Sequence, residues 1–596
     1  MLLQTREDRP PVLPLPHPGG SLPVVLMARP IPIGIDDFRT LREAKLEYVD
    51  KSGLIQQLLD RPGVEAVLLP RPRRFGKTLN LSMLRAWFEK RDEDLSPLFE
   101  DLSIWQAGEA YRAHFQRYPV IHFNFKGAKA STFSHSAETI REKIIDLFKA
   151  HRYLLDGSIL DEVDRRRFQQ ILDGKATDAL HERALLDLSA HLHAHHGEKV
   201  VILIDEYDEP IHAGHVHGYS KEILDFMRAF LGAGLKSNPH LFRAVVTGIL
   251  RVAKENLFSG LNNLGVYTVL AEPFNDCFGF TEDEVSSLLQ RQGRLDALDA
   301  VRAWYNGYIF GGTVIYNPWS VLCFLERGEE TPQAYWLSTS SNDLVKELLE
   351  RYAVTLEPVF EQLLEGGNIE RPLDENVVFA DLLADEGALW SLLVFSGYLK
   401  AEMAPVQVGR RKMYRLSIPN WEVREVYTTT FEQWMKRRLS SGGGSLDRLI
   451  RALLDGDAEL VEEHLQLFVQ NLLSYHDPGT LYPERVYQGF VVGLLAAMEP
   501  SYQVRSNRES GKGRPDVIIR PLSAGKPAVV LELKVARPKK KTLEQALSEG
   551  VSQLESMGYD AELLASGASV VHGLAVAFDG KEVRVQAAGQ KAGAPG

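Results

Sequence analysis

Between residues 64 and 271, short apolar runs (EAVLLP, PVIHFNF, KVVILID, LFRAVVTG and VYTVLA) alternate with longer stretches whose apolar positions recur at helical spacing. Runs apolar at nearly every position are strands buried on both faces, and such strands separated by helices form a parallel sheet covered on both sides. The pattern predicts an α/β unit over residues 31–280. From 281 to 440 the chain turns helical and aromatic, with WYNGYIF, YNPWSVLCFL and LLVFSGYLK punctuated by Gly and Pro, and a helical, winged-helix-like adaptor is expected. The run SGGGS, Ser441 to Ser445, is the clearest flexible hinge. Helices are expected from there to about Leu494, then a compact α/β pattern from Tyr502 to about Val585, so residues 446–585 form a third unit. The Pro- and Gly-rich flanks, 1–30 and 586–596, read as a disordered leader and tail, and Met27 offers an alternative start.

Composition narrows the class. A chain of 596 residues exceeds one core, and 44% hydrophobic with 25% charged residues is the balance of a soluble globular protein. Two cysteines, Cys277 and Cys323, make neither a disulfide framework nor a cysteine metal cage, which fits a reducing compartment, the cytoplasm. A formal net charge of -12 means that any nucleic-acid binding must come from local basic patches. No run approaches the roughly 20 apolar residues of a membrane span.

The segment PRPRRFGKTLNL, residues 70–81, ends as a phosphate-binding loop does. Backbone amides of such a loop wrap a β-phosphate, its lysine neutralises β/γ charge, and the next hydroxyl ligates magnesium. Gly76, Lys77 and Thr78 supply that half, with Arg74 and Phe75 before them, between the strand AVLLP and the helix LNLSMLRAWF, so phosphate would meet a helix N-terminus. The usual first glycine is Arg71, and Pro72, Arg73 and Arg74 crowd the loop; either the loop takes another path or the motif is spurious. A second element weighs against the spurious reading. VVILIDEYDEP is an apolar strand ending in Asp205 and Glu206, where a carboxylate holds the magnesium shell and another orients water. A third strand, FRAVVTG, ends in Thr247, a polar sensor, followed by ILR with the candidate arginine Arg251.

A second constellation lies near the C-terminus. GRPDVIIRPLSAGKPAVVLELKV reads as a hairpin whose turn centres between Ala524 and Gly525, which places Asp516 across from Glu532 to Lys534. Glu532 and Lys534, two apart, share a face, so two carboxylates and a lysine converge. That set can hold Mg²⁺ against a phosphodiester while the lysine positions or deprotonates a water. The bland alternative is a solvated salt-bridge triad. Glu484, on an upstream helix, is a further metal candidate, Gln545, Gln553 and Tyr559 follow on a helix, and Arg505, Arg508, Lys512, Arg514 and Lys539 to Lys541 could meet phosphates.

Two signals are set aside. HLHAHHGEK spreads His191, His193, His195 and His196 around a helix, and only His191 and His195 fall at i, i+4. The aromatic runs WYNGYIF and YNPWSV are stacking candidates for bases, with core packing the more ordinary reading.

With these residues in view, the chain resembles a bacterial family of AAA-ATPase-like proteins carrying a C-terminal PD-(D/E)XK nuclease-like domain. The resemblance runs through IPIGIDDFRTLREAKLEYVDKSGLI, RPRRFGKTLNLSML, LIDEYDEPI, TGILRVAKENLFSGLNN, WYNGYIFGG, YNPWSV, LSIPNWEVREVY and NRESGKGRPDVII…LELKV. A loop lacking its first glycine is itself typical of that family. The resemblance implies a P-loop NTPase parallel-sheet core, a helical middle region and a restriction-endonuclease-like α/β domain, with ATP and Mg²⁺ as cofactors and nucleic acid, DNA foremost, as partner. By it, Lys77 and Thr78 would bind triphosphate and magnesium, Asp205 and Glu206 would serve hydrolysis, and Asp516, Glu532 and Lys534 would form the nuclease centre. Assembly of several copies would supply an arginine in trans. The chain departs from the family at Gln488, where a His is often found. Three functions are compatible with this: a nuclease controlled by ATP, in defence or mobile-element biology; a nucleotide switch whose nuclease-like domain binds DNA or a partner without cutting; or a nuclease on a P-loop scaffold that no longer hydrolyses ATP.

Overall fold

A computed structural model describes residues 28–250, 257, 263–336, 366–375, 386–404, 412–430, 445–472, 501–506, 515–536, 541–557, 560–580 and 582–592, with scattered positions in 348–364 and 487–498. The expectations attached to Arg251, Glu484, Gln488, Tyr559, most of the basic clusters and the glycines of the hinge lie outside the described residues.

Five strands form the first sheet: β1 Ala66–Pro70, β2 Val120–Asn124, β3 Val200–Asp205, β4 Leu241–Gly248 and β5 Leu264–Val266, in the order β2-β3-β4-β1-β5 and parallel throughout. Every residue of β1 and β3 is buried, as the unbroken apolar runs require. Helices Lys77–Phe88, Phe133–Ala150, Asp178–His196 and Ser220–Leu235 are the crossovers and flanking layers. Strands β3, β4 and β1 lie side by side, so the C-terminal ends of all three open onto one edge, where doubly wound sheets collect ligands.

The middle region holds a hairpin, β6 Tyr308–Phe310 with β7 Thr313–Ile315, and a small antiparallel sheet of β8 Ile369–Pro372, β9 Lys400–Met403 and β10 Met413–Ser417 in the order β8-β10-β9. Helix Glu386–Phe395, buried over most of its length, precedes β9. The largest apolar core runs from Phe38 to Tyr427, so the parallel sheet and much of the middle region share one interior. Lys51 to Glu284 (2.6 Å) and Glu47 to Arg291 (2.8 Å) also tie the N-terminal segment to helix Glu282–Arg291.

A separate core gathers Leu449 to Val585 around a second five-stranded sheet, β11 Tyr502–Ser506, β12 Val517–Pro521, β13 Ala528–Val535, β14 Val570–Asp579 and β15 Glu582–Ala592. Its strands run antiparallel except for the parallel pair β13 and β14. β15 continues to Ala592, beyond the tail boundary expected at residue 586, because Val570 to Asp579 offer a ladder as long as the strand and Ala592 pairs with Val570. Among the described residues no helix is long and apolar enough to cross a membrane.

Candidate active sites at two sheet edges

At the first edge the loop after β1 turns into helix Lys77–Phe88 through Gly76, which is left-handed at φ 80°. Arg71, which stands where the first glycine is usual, turns its side chain out of that loop. Its guanidinium is fully buried beneath it, donating to the carbonyls of Pro70 (2.8 Å), Tyr267 (2.7 Å) and Phe274 (2.9 Å) and lying over Phe278. The arginine thus braces the floor, and its bulk points away from the space a phosphate would take. Lys77 Nζ donates to the carbonyls of Arg71 (3.0 Å) and Pro72 (2.9 Å), which closes the loop into a ring around the amine. Burial pulls the lysine below its ordinary pKa, while Asp205, Asp208 and Glu206 oppose that shift.

Asp205 is the hub. Fully buried at the end of β3, it accepts from Thr78 Oγ1 (2.7 Å) and Thr247 Oγ1 (2.6 Å), so the loop, β3 and β4 meet on one carboxylate. Asn124 at the end of β2 reaches the same oxygen as Thr78, at 3.4 Å. Glu206 follows at a positive φ of 52° and lines the cavity; burial first, then Glu209 and Asp205, raise its pKa to about 7. A carboxylate with a pKa near neutrality has the basicity to accept a proton from a water at neutral pH. Arg74, also at positive φ (68°), lines the cavity with its guanidinium 4.3 Å over Trp319 of the middle region, whereas the Phe75 ring is buried against Tyr308 and Phe310. The cavity above this loop measures about 620 Å³ and is walled by the N-terminal segment, the loop, Glu206 and middle-region groups including Trp319 and Tyr398. That size suits a nucleotide.

Sequence reasoning passed over Asp208. Its carboxylate accepts from the backbone N–H of Ile249 (2.8 Å) and Leu250 (3.1 Å), fastening the chain after β4 to the turn after β3. The contact is close enough that a Cβ on Gly248 would sit 2.5 Å from Asp208 Oδ1. A third carboxylate in DEYDEP, three residues after Asp205, was the available signal.

At the second edge β12 and β13 pair with Val517 opposite Leu531, so Asp516 faces Glu532, within the Glu532 to Lys534 segment expected and one residue from its centre. Asp516 Oδ2 accepts from Leu533 N (2.8 Å), and Lys534 Nζ donates to Glu532 Oε1 (2.7 Å). The three predicted side chains therefore converge. Glu532 is 1% exposed, and its Oε2 has no hydrogen-bond partner among the described residues. Burial, then the charge of Asp516, lifts its pKa to about 7. Burial lowers the lysine, but the hydrogen bond and charge of Glu532 outweigh it, and the net shift is upward. A buried carboxylate oxygen without a donor, beside a second carboxylate, is a donor set suited to a hard divalent cation. Gln545 is spent locally: its side chain accepts from Thr542 N while its own N–H bonds Thr542 Oγ1, a cap on helix Leu543–Met557.

The histidines do not gather. His193 pairs with His240 at 2.9 Å, His196 with Tyr153 at 2.9 Å, and no group of three metal-binding side chains occurs among the described residues.

The AAA-ATPase-like family model, described as a predicted AAA-ATPase, matches residues 32–258, and the PD-(D/E)XK nuclease superfamily model matches residues 482–588. A curated protein of Azotobacter chroococcum mcd 1, named only as an uncharacterized protein in the vnfD 5' region, is 30% identical over 397 residues, 66% of this chain and 68% of that protein. The chain belongs to the AAA-ATPase-like family with a C-terminal PD-(D/E)XK nuclease-superfamily domain. Each matched segment contains one of the two carboxylate sites, Asp205 and Glu206 in the ATPase-like part, Asp516, Glu532 and Lys534 in the nuclease-like part.

Proposed function

We propose that this protein is an ATPase whose nucleotide state governs a magnesium-dependent nuclease acting on DNA. The observation that carries the reading is the carboxylate chemistry of the second edge: Glu532, buried with an unpartnered oxygen, beside Asp516 and Lys534. Without a cation two neighbouring carboxylates cost free energy, and burial first, then the charge of Asp516, raises the Glu532 pKa. Bound Mg²⁺ would supply charge to polarise a phosphodiester and acidify a water. Asp516 and Glu532 would hold it, and Lys534 would orient the attacking water and steady charge on the phosphate.

At the first edge Lys77 and Thr78 would meet the triphosphate and its magnesium, Asp205 would hold that magnesium's shell, and Glu206 would draw a proton from the attacking water. Thr247 would sense the γ-phosphate through its bond to Asp205. Arg74 would follow the phosphates from the loop while touching Trp319, a route by which nucleotide occupancy reaches the middle region. Glu484 and Arg251 retain their sequence-based roles, as a metal ligand and as a nucleotide contact.

The test is cleavage of plasmid and single-stranded DNA by the full chain with Mg²⁺, with and without ATP, beside Lys77→Ala and Asp516→Ala. Cleavage lost in Asp516→Ala, and responsive to ATP only when Lys77 is present, is expected. ATP turnover dependent on Lys77 without cleavage under any condition would replace this reading with a nucleotide switch that binds without cutting.

A further inference from the structure

The motif WYNGY and the segment IPNW lie 114 residues apart, as Asn306 and Asn420 do, yet they form one surface: Asn420 Nδ2 donates to Asn306 O at 2.7 Å. Gly307 makes the approach possible. It stands at φ 96°, and a Cβ there would fall 2.1 Å from Pro419 O, so the two backbones lie against each other as no other residue would allow. Asn420 also accepts from Val423 N (3.0 Å), and Asn306 Oδ1 accepts from Gly307 N (2.6 Å). The framework is fixed before anything binds.

What it presents is unusual for a surface. Trp421 is 56% exposed, and its ring stacks toward Trp304, centroids 6.4 Å apart and planes 30° from parallel. Arg424 places its guanidinium 5.5 Å over the Trp421 ring. The neighbouring cavity, about 310 Å³, is lined by both arginines, Arg302 and Arg424, and by Asn306, Asn420 and Trp421. Leaving an indole in water sacrifices the free energy of burying it, a cost that a platform for a planar ligand explains.

We propose that this surface binds single-stranded nucleic acid, one base extending the stack of Trp304, Trp421 and Arg424 while the adjoining phosphate meets the Arg424 guanidinium. The identity of the ligand rests on the nuclease reading above, whereas the site itself lies outside both carboxylate centres. Charge selects single strands over duplex. Arg302 is balanced by Glu282 (2.6 Å) and Asp299 (2.6 Å), and a duplex backbone held by charge alone requires many uncompensated cations. Stacking uses the flat face that every base has, so little sequence preference follows, and in a duplex those faces are already occupied. Position adds a role: the platform belongs to the middle region, whose other contacts include Trp319 over Arg74 of the nucleotide loop. A strand held here would load the same region that senses the nucleotide.

The experiment is fluorescence anisotropy of a labelled oligothymidylate with the full-length protein in EDTA, where no cleavage proceeds, compared with the same strand in a duplex. Trp421→Ala should weaken single-strand binding roughly tenfold or more and leave duplex binding within about twofold, and Trp421→Phe should recover most of the loss. Arg424→Ala should reduce the slope of log affinity against log salt by about 0.7, one single-strand phosphate. Unchanged single-strand affinity in Trp421→Ala with an unchanged salt slope in Arg424→Ala overturns the proposal. So does an equal loss for duplex, or a change in sedimentation that shows the tryptophan sits between two copies of this chain. If wild type never cleaves with Mg²⁺ while Trp421-dependent binding persists, the nuclease reading fails and this one stands; cleavage with binding indifferent to Trp421 gives the converse.

Discussion

Arg71 shows how one side chain alters the meaning of a motif. A phosphate loop needs its first glycine because backbone must pass close to the ligand, and an arginine in that place reads as damage. In the fold the side chain leaves the loop from below and satisfies three carbonyls that would otherwise be buried without donors. Burial lowers the guanidinium pKa to about 10, far above neutrality, so the charge is retained. Restoring the usual glycine should therefore harm the protein. Arg71→Gly is expected to lose about 3 kcal/mol of stability, from three unsatisfied acceptors and the void beneath them, and to weaken ATP binding as the loop loosens. Denaturant unfolding followed through the first transition, together with nucleotide titration, checks both; a variant as stable as wild type would refute the bracing role. The sequence could not have announced this, because the acceptors come from residues near 70, 267 and 274 and meet only in three dimensions.

Elements were more legible than side-chain roles. The parallel sheet followed from runs apolar at every position, and β1, β3 and β4 end where AVLLP, VVILID and FRAVVTG end. The hairpin of β12 and β13 was placed within one residue, since a turn rich in Gly, Pro and Ser can close at either of two centres while the buried face of VVLELKV permits little more slippage. Local pattern missed what joins elements end to end. Asp208 lies in a turn, and its donors, the backbone N–H groups of Ile249 and Leu250, come from a chain segment about forty residues later. Since this clamp holds the exit of β4, and Thr247 stands just before it, Asp208→Asn should loosen the geometry around Asp205 without removing any group proposed to touch ATP. The expected result is about a tenfold fall in kcat for ATP hydrolysis, ~1.4 kcal/mol, with KM changed much less. A fall confined to KM would show that Asp208 shapes binding instead.

At the scale of the whole molecule the chain has two principal cores, one reaching from Phe38 to Tyr427 and the other from Leu449 to Val585, with the glycine run in the sequence between them. Two cores joined by a short stretch of chain should unfold as two cooperative units, and a ligand stabilises the unit that binds it by RT ln(1 + [L]/Kd). The two proposed sites belong to different cores. Calorimetry is therefore expected to resolve two transitions that answer to different additions. A non-hydrolysable ATP analogue at a hundredfold excess over its Kd should stabilise the first by about 2.7 kcal/mol and lose that effect in Lys77→Ala. Mg²⁺ without nucleotide should raise the second and lose its effect in Asp516→Ala, because a cation held by Asp516 and Glu532 would offset both the burial and the neighbouring charge that lift the Glu532 pKa. If the analogue shifts both transitions together, the cores communicate through the middle region, and ATP control of the nuclease acquires its physical path. If each ligand moves its own transition alone, the two proposed activities are coupled only when nucleic acid bridges them, and the Trp421 surface becomes the place to look for that bridge.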